Sequence, residues 1–201
     1  MAKLYFKFGT MGSSKTANAL MTRFNYQEKD KSVWLIKPET DTRDDIVNPD
    51  GTKTAIIKSR IGLIAEADVI KKDDDIEDIL LEIVPTYPVD AIICDECQFL
   101  SEEQVDQLKL ITDKYDIPVL CFGLRSDFRT KLFPGSKRLF EIADSITELK
   151  SICRCGSKAT VNARIKDGKV ITEGNQVEIG GDEKYEAMCW HCWKEKIENN
   201  S

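Results

Sequence analysis

The chain has 201 residues, of which 41% are apolar and 32% charged, with a formal net charge of −6. This composition supports a buried core in one main domain with room for a small appendage. The acidic balance argues against a general nucleic-acid or anionic-membrane surface. No apolar run approaches the ~18 residues of a membrane span, and the N-terminus shows no signal-peptide pattern; the expectation is a soluble, cytoplasmic protein.

In chain order, an apolar run at 4–8 leads into Gly9-Thr10-Met11-Gly12-Ser13-Ser14-Lys15-Thr16, and Ala17, Leu20, Met21 and Phe24 then recur at helical spacing. Strand, glycine-bearing loop and Lys-Thr at a helix start form the layout of a phosphate-binding P-loop. Successive N–H groups and the positive end of the helix dipole cradle an anionic phosphate chain there. Lys15 is expected to neutralise charge near the β- and γ-phosphates, and Thr16 to offer its hydroxyl to Mg²⁺. Ser14 stands where the second glycine of G-x-x-x-x-G-K-S/T is usual. If that position needs positive φ, Ser14 carries strain of about 1 kcal/mol.

Val33 to Ile36 reads as a second buried strand, its continuous apolar run suiting a parallel sheet. Polar residues follow, including Arg43, and charged groups past the carboxyl end of such a strand lie where α/β folds bind ligands. Arg43 is therefore a phosphate-contact candidate, and Arg60 in Ser59-Arg60-Ile61-Gly62 is a second. A short strand is expected at 55–57 and a helix over 74–83, opened by the acidic run Asp73 to Asp75, whose charge suits a helix N-terminus. An apolar run then enters Cys94-Asp95-Glu96-Cys97-Gln98, the form of a Walker B element. Asp95 is assigned to Mg²⁺ and Glu96 to general-base chemistry, with the backbone turning at the strand end so that both carboxylates reach one site. Cys94 and Cys97 read as packing residues.

Ser101-x-x-Gln104 is a capping box opening a helix through Lys114, and 117–123 is another buried strand. The loop 124–136 carries Phe128 and Phe133 among Arg125, Arg129 and Lys131, a pattern that either holds a base and phosphates or closes the core. A short helix at 139–143 and a strand at 145–149 complete an alternation that implies a parallel, doubly wound sheet over residues 1–150.

From Cys153 to the end the character changes, and 151–201 reads as a second module. A hairpin spans 159–171 with Asp167-Gly168 as its turn. A flexible stretch, 173–182, is able to fold over a ligand. Seven cysteines are an odd number, which speaks against a disulfide framework. Cys153-x-Cys155 and Cys189-x-x-Cys192, separated by a β segment, suit a closed four-sulfur structural zinc site, with His191, the single histidine, as a substitute ligand.

On these residues the chain resembles the type II thymidine kinases, the tetrameric cellular and bacterial family. The resemblance runs from Leu4 to about Trp193 and rests on the P-loop, on Asp95-Glu96-Cys97-Gln98-Phe99-Leu100, on Asp41-Thr42-Arg43 and on Ser59-Arg60-Ile61-Gly62. Gly123-Leu124-Arg125-x-Asp127-Phe128, and Ile179-Gly180-Gly181 with Tyr185, add to it. It implies a P-loop kinase domain with a parallel sheet flanked by helices, plus a small zinc-binding domain carrying a lasso loop. The implied reaction transfers the γ-phosphate of ATP, with Mg²⁺, to the 5′-hydroxyl of thymidine. Glu96 is then the base, and Gly9 to Thr16, Asp95, Gln98, Arg43 and Arg60 manage the triphosphate. Met11, Phe99, Leu124, Phe128, Phe133, Ile179, Gly180, Gly181 and Tyr185 surround thymidine. The zinc module would anchor the lasso without touching the chemistry. A homotetramer, dTTP as feedback inhibitor, and no nucleic-acid or membrane partner are further implications. The residues leave one other class open, a P-loop ATPase whose zinc module binds a macromolecule such as nucleic acid.

Overall fold

The structure, a computed structural model, describes residues 1–176 and 185–199. In chain order its elements are β1 (Leu4–Phe8), α1 (Lys15–Gln27), β2 (Val33–Pro38), β3 (Ile46–Val47), β4 (Lys53–Thr54), β5 (Ile56–Lys58), β6 (Ile64–Glu66) and β7 (Asp68–Ile70). There follow α2 (Ile76–Ile83), β8 (Ala91–Cys94), α3 (Glu102–Tyr115), β9 (Val119–Gly123), α4 (Pro134–Ile142) and β10 (Ser145–Glu148). The last are β11 (Val161–Lys166), β12 (Lys169–Ile171), β13 (Tyr185–Met188) and α5 (Trp190–Glu198).

Six strands form one parallel sheet in the order β10-β1-β9-β8-β2-β7. Because alternate side chains of a strand point to opposite faces, each central strand feeds two cores. Trp34, Ile36, Ile92 and Cys94 join Ile76 and Leu80 of α2, Val105, Leu108 and Ile111 of α3 and Leu139 of α4. Val33, Leu35, Ala91 and Ile93 join Ala19 and Leu20 of α1 on the other face, together with Ile57 and Ala65 of the β5–β6 hairpin. Burial on both faces explains why these strands read as unbroken apolar runs.

The helix starts follow local chemistry. Ser101 and Gln104 form the reciprocal capping box at α3, and Asp75 caps α2 by accepting from the Asp78 N–H at 3.0 Å. Helix α4 begins at Pro134, five residues before the expected start at Leu139. Gly135, a poor helix former, hides this start in the sequence. It is there because a Cβ at that position would lie 2.6 Å from the Cys97 carbonyl oxygen. The expected short strand at 55–57 exists as β5, but it pairs antiparallel with β6 outside the main sheet. The edge strand β7 is not among the elements the sequence predicts.

Beyond β10, the strands β12-β11-β13 form a three-stranded antiparallel sheet. Asp167 and Gly168 make its first turn with φ of 51° and 78°, the positive pair that a two-residue hairpin needs. This sheet has its own core of Val161, Ala163, Val170, Met188 and Trp193 of α5. Among the described residues no helix is long and apolar enough to cross a membrane.

Candidate active site

The P-loop leaves the carboxyl end of β1 and the Asp-Glu pair leaves that of β8, with β9 between them. Gly9 N–H donates to Gly123 O of β9 at 3.2 Å, fastening the loop to the sheet edge. A Cβ on Gly9 would lie 2.3 Å from both the Leu149 carbonyl oxygen and Ser13 Oγ, so only glycine fits there. Ser14, just before α1, has φ 61° and ψ 28° and makes no side-chain cap. It is thus a left-handed serine, the strained case its sequence position raised. The left-handed region costs a non-glycine residue about 1–2 kcal/mol, whereas glycine's extra freedom in the unfolded chain costs about 0.5–1 kcal/mol. Strain outweighs that entropy, so Ser14→Gly should raise the melting temperature by roughly 2 °C. Calorimetry showing a lower melting temperature would mean that the Ser14 side chain stabilises the loop.

Lys15 is buried and its Nζ donates to Thr10 O at 2.8 Å. Burial pushes its pKa down, and the negative charges of Glu96 and Asp95 pull it partly back. Asp95 is also buried, at 3% exposure. Burial first, and then the Glu96 charge beside it, push its carboxyl up to about 7, against a hydrogen bond from the Thr16 side chain and the charge of Lys15. Its Oδ1 has no hydrogen-bond partner. A buried carboxylate oxygen left unsatisfied next to a threonine hydroxyl suits a hard divalent cation such as Mg²⁺.

Glu96 has φ 51° and ψ 33°, again left-handed for a non-glycine residue. This kink ends the strand and turns Glu96 into the site while Asp95 stays beneath it. Gln98 Nε2 donates to Glu96 Oε2 at 2.6 Å, and Arg43 Nη2 donates to Oε1 at 2.5 Å. Burial raises the Glu96 pKa, but the charges of Arg43 and Lys15 and the bond from Gln98 outweigh it, so the carboxyl is held below its usual value. Gln98 Oε1 accepts the Leu124 N–H at 2.9 Å, so Gln98 braces Glu96 against the loop after β9.

The loop carrying Arg43 is built on Lys37, a residue that no sequence motif singles out. Its fully buried ammonium donates to Asp45 Oδ1 at 2.6 Å and Ile56 O at 2.9 Å, and lies 3.8 Å from Asp41. Asp41 accepts in turn from Arg43 Nε at 2.6 Å. The carboxylates of Glu96 and Asp41 raise the Arg43 pKa against the effect of burial.

One cavity of about 460 Å³ gathers most of the sequence-selected residues. Met11, Gly12, Ser14, Lys15, Thr16, Arg43, Arg60, Glu96, Gln98, Phe99, Leu124, Phe128, Phe133 and Tyr185 all line it. Gly9, Thr10, Ser13 and Asp95 support these residues without lining it. Ile179, Gly180 and Gly181 lie outside the described residues. Phe99 and Phe133 meet edge to face, their centroids 5.7 Å apart. The guanidiniums of Arg129 and Arg164 lie 5.8 and 5.4 Å from the centroid of the Phe128 ring. Two of the basic side chains of this loop, Arg125 and Arg129, are engaged within the fold. Arg125 Nη2 donates to Thr160 O at 3.0 Å, and Arg129 binds Asp127 Oδ2 through Nε at 3.1 Å and Nη2 at 3.0 Å. Asp127 also accepts the N–H groups of Arg129 and Lys131, both at 2.9 Å, and Gln176 Nε2 at 3.2 Å. It ties the loop after β9 to Gln176.

Cys153, Cys155, Cys189 and Cys192 bring one sulfur each to within 4.8 Å of one another. Tetrahedral Zn–S bonds of ~2.3 Å put ligand sulfurs about 3.8 Å apart, and Cys155 and Cys189 are at 3.7 Å. The donor set therefore fits zinc. Hydrogen bonds from Ser157 draw the Cys155 thiol down to about 6, while hydrogen bonding with Cys155 and then Cys189 pushes that of Cys192 up to about 12, so without a metal the cluster holds its protons unequally. Cys94, Cys97 and Cys121 are fully buried in the core.

A sequence profile of the family described as thymidine kinase matches residues 2–193. A thymidine kinase of Zymomonas mobilis is 43% identical over 198 residues, 98% of each chain. One of Vibrio cholerae is 42% identical over 198 residues, covering 98% of this chain and 99% of its own. One of Enterobacteria phage T4 is 42% identical over 196 residues, 97% of each. With the P-loop, the Asp-Glu strand end and the four-cysteine cluster all inside the matched span, this chain belongs to the thymidine kinase family.

Proposed function

We propose that this protein transfers the γ-phosphate of ATP to the 5′-hydroxyl of thymidine, giving thymidine monophosphate and ADP. The observation that carries this reading is the single cavity that holds the P-loop lysine and Glu96 together with the apolar walls Leu124, Phe128 and Phe133. Donor and acceptor then meet without leaving one enclosure, and phosphoryl transfer asks chiefly for such positioning and for charge.

The P-loop N–H groups and Lys15 take the triphosphate, and Thr16 with Asp95 would hold Mg²⁺, which would supply shielding of the phosphate charge. Glu96 accepts the proton of the 5′-hydroxyl. Arg43 leaves Glu96 for the transferring phosphoryl group, which frees the base and delivers positive charge in one movement, and Arg60 assists. Thymine lies between Met11, Phe99, Leu124, Phe128, Phe133 and Tyr185; the main-chain contacts to its edge expected from Ile179, Gly180 and Gly181 fall outside the described residues. Such a site rejects cytosine because the wrong donor–acceptor pattern leaves polar groups unpaired. Gln98 is better read as a brace for Glu96 than as a phosphate ligand, given its two bonds.

The division into a kinase domain, 1–150, and a zinc domain with its lasso, 151–201, belongs to the same reading, as do a homotetramer, feedback binding of dTTP, a cytoplasmic location and the lack of a nucleic-acid or membrane partner. The family match includes the cysteine module, which favours the kinase reading over an ATPase with a macromolecule-binding tail.

Product formation from ATP–Mg²⁺ with thymidine, deoxyuridine, deoxycytidine and deoxyadenosine offered separately tests the reading. Thymidine monophosphate with little deoxycytidine product is expected; ADP release without any nucleotide product would overturn it. Elemental analysis should find one zinc per chain. Cys189→Ser should bind it substantially less and melt at a lower temperature, because site formation is coupled to folding. A zinc-free wild type of unchanged stability would contradict the structural role.

A further inference from the structure

We propose that Asn162 is a positioning residue for the phosphate-donor loop. Its side-chain amide holds the Met11 N–H, and with it the turn of the P-loop, in the form that receives the triphosphate. The inference deepens the kinase reading above and rests on it.

Asn162 lies on β11, in the three-stranded sheet beyond the kinase sheet. Its neighbours Val161 and Ala163 point into that sheet's own core, so strand alternation turns Asn162 the other way. It is nevertheless only 3% exposed, because the P-loop and the loop after β9 close over it. Oδ1 accepts the Met11 N–H at 2.8 Å, across 151 residues of sequence, and Nδ2 donates to Ser126 O at 3.2 Å. The amide has one acceptor and one donor group, and each is used on a different catalytic loop. Thr10 and Ser151 hydroxyls meet beside it, and Arg125 reaches Thr160 O at 3.0 Å. The same residue lines the main cavity.

These contacts give the cysteine-bearing module a second attachment besides the anchoring of the lasso expected of it. Its central strand grips the P-loop directly. A P-loop works because its N–H groups are already aimed when the phosphates arrive, and a loop free to turn must be ordered at the expense of affinity. Met11 N–H is committed to Asn162, which leaves the N–H groups that follow, at the start of α1, for the anion. Without the amide, the Met11 N–H loses a buried acceptor and the turn gains alternatives.

The test is titration of ADP–Mg²⁺ into nucleoside-free protein, with amide exchange of ¹⁵N-labelled Met11 alongside. Asn162→Ala should weaken ADP–Mg²⁺ binding about tenfold, the scale of one lost hydrogen bond, and release the Met11 amide to exchange. Asn162→Asp keeps the Oδ1 acceptor, so the Met11 amide should stay protected in it even though the bond to Ser126 is gone. ADP–Mg²⁺ affinity within twofold of wild type in Asn162→Ala would overturn the proposal, even if its melting temperature falls, because a merely structural role moves stability and not the donor constant. Should Asn162→Ala fail to fold, the wild type decides: an unprotected Met11 amide overturns the proposal, and a protected one retained in Asn162→Asp supports it. If ADP affinity falls as expected while wild-type protein makes no thymidine monophosphate, the loop-positioning role stands and the kinase reading falls.

Discussion

Glu96→Gln should lower kcat by about 10²-fold or more, with the KM values for ATP and thymidine changed only a few-fold. The magnitude is that of a lost general base. The substitution keeps the shape of the side chain and removes its ability to take a proton. It also places an amide N–H₂ opposite donors, since Arg43 Nη2 and Gln98 Nε2 already donate to the two carboxylate oxygens. One of those bonds must be lost, and Arg43 keeps Asp41 as its other partner. Single-turnover kinetics with preformed ternary complex isolates the chemical step. Near-wild-type turnover would remove Glu96 from the role of base. The pH dependence adds a second check. With Glu96 held below the usual carboxylate range, its ionised form persists as pH falls from neutrality. Asp95, pushed up to about 7, gains its proton first. Below about pH 7, protons compete with the cation for Asp95, so Mg²⁺ affinity should weaken by up to tenfold per unit, whereas Glu96 is still charged.

Lys15→Met should reduce kcat/KM for ATP by about 10³-fold, the upper range for removing one preorganised charge donor at a transferring group. The fold should survive. Lys15 is buried with its pKa lowered by desolvation, so an apolar isostere removes a charge that was costly to bury. Against this, Asp95 and Glu96 lose a nearby cation, and the Thr10 carbonyl loses its donor at 2.8 Å. These opposing effects should leave the melting temperature within a few degrees of wild type. Circular dichroism alongside the kinetics separates the two. A folded variant that still uses ATP would end the P-loop reading of 9–16.

Much of this site is legible in the sequence, because its parts are local. The P-loop needs a turn, a lysine and a hydroxyl in eight consecutive residues, and the Walker-type pair needs two acids at the end of an apolar run. Backbone geometry requires these spacings, so they leave a mark in the sequence. Even Ser14 announces its strain, since a motif position that favours glycine reports the sign of φ. The capping box, the Asp167-Gly168 turn and the paired cysteines are readable for the same reason. The start of α4 is not, since Gly135 answers to the backbone of 97–100 and not to helix propensity. The weak strands β6 and β7 of three residues each carry too short a pattern to separate from loop.

What the sequence by itself determined is the inventory: phosphate loop, acid pair, four thiols and a parallel sheet to carry them. Only the tertiary structure decided how they are connected. Lys37 supports Asp41, Asp41 holds Arg43, and Arg43 meets Glu96, a relay that links two separate strand ends. Asp127 gathers the loop after β9 and Gln176, and Asn162 reaches Met11 from another sheet. An asparagine or a lysine in a strand looks the same in sequence whether it faces solvent or a distant loop. Hydrogen bonds act over about 3 Å and are indifferent to separation along the chain, so only the packed fold shows which polar side chain is buried and what it must satisfy.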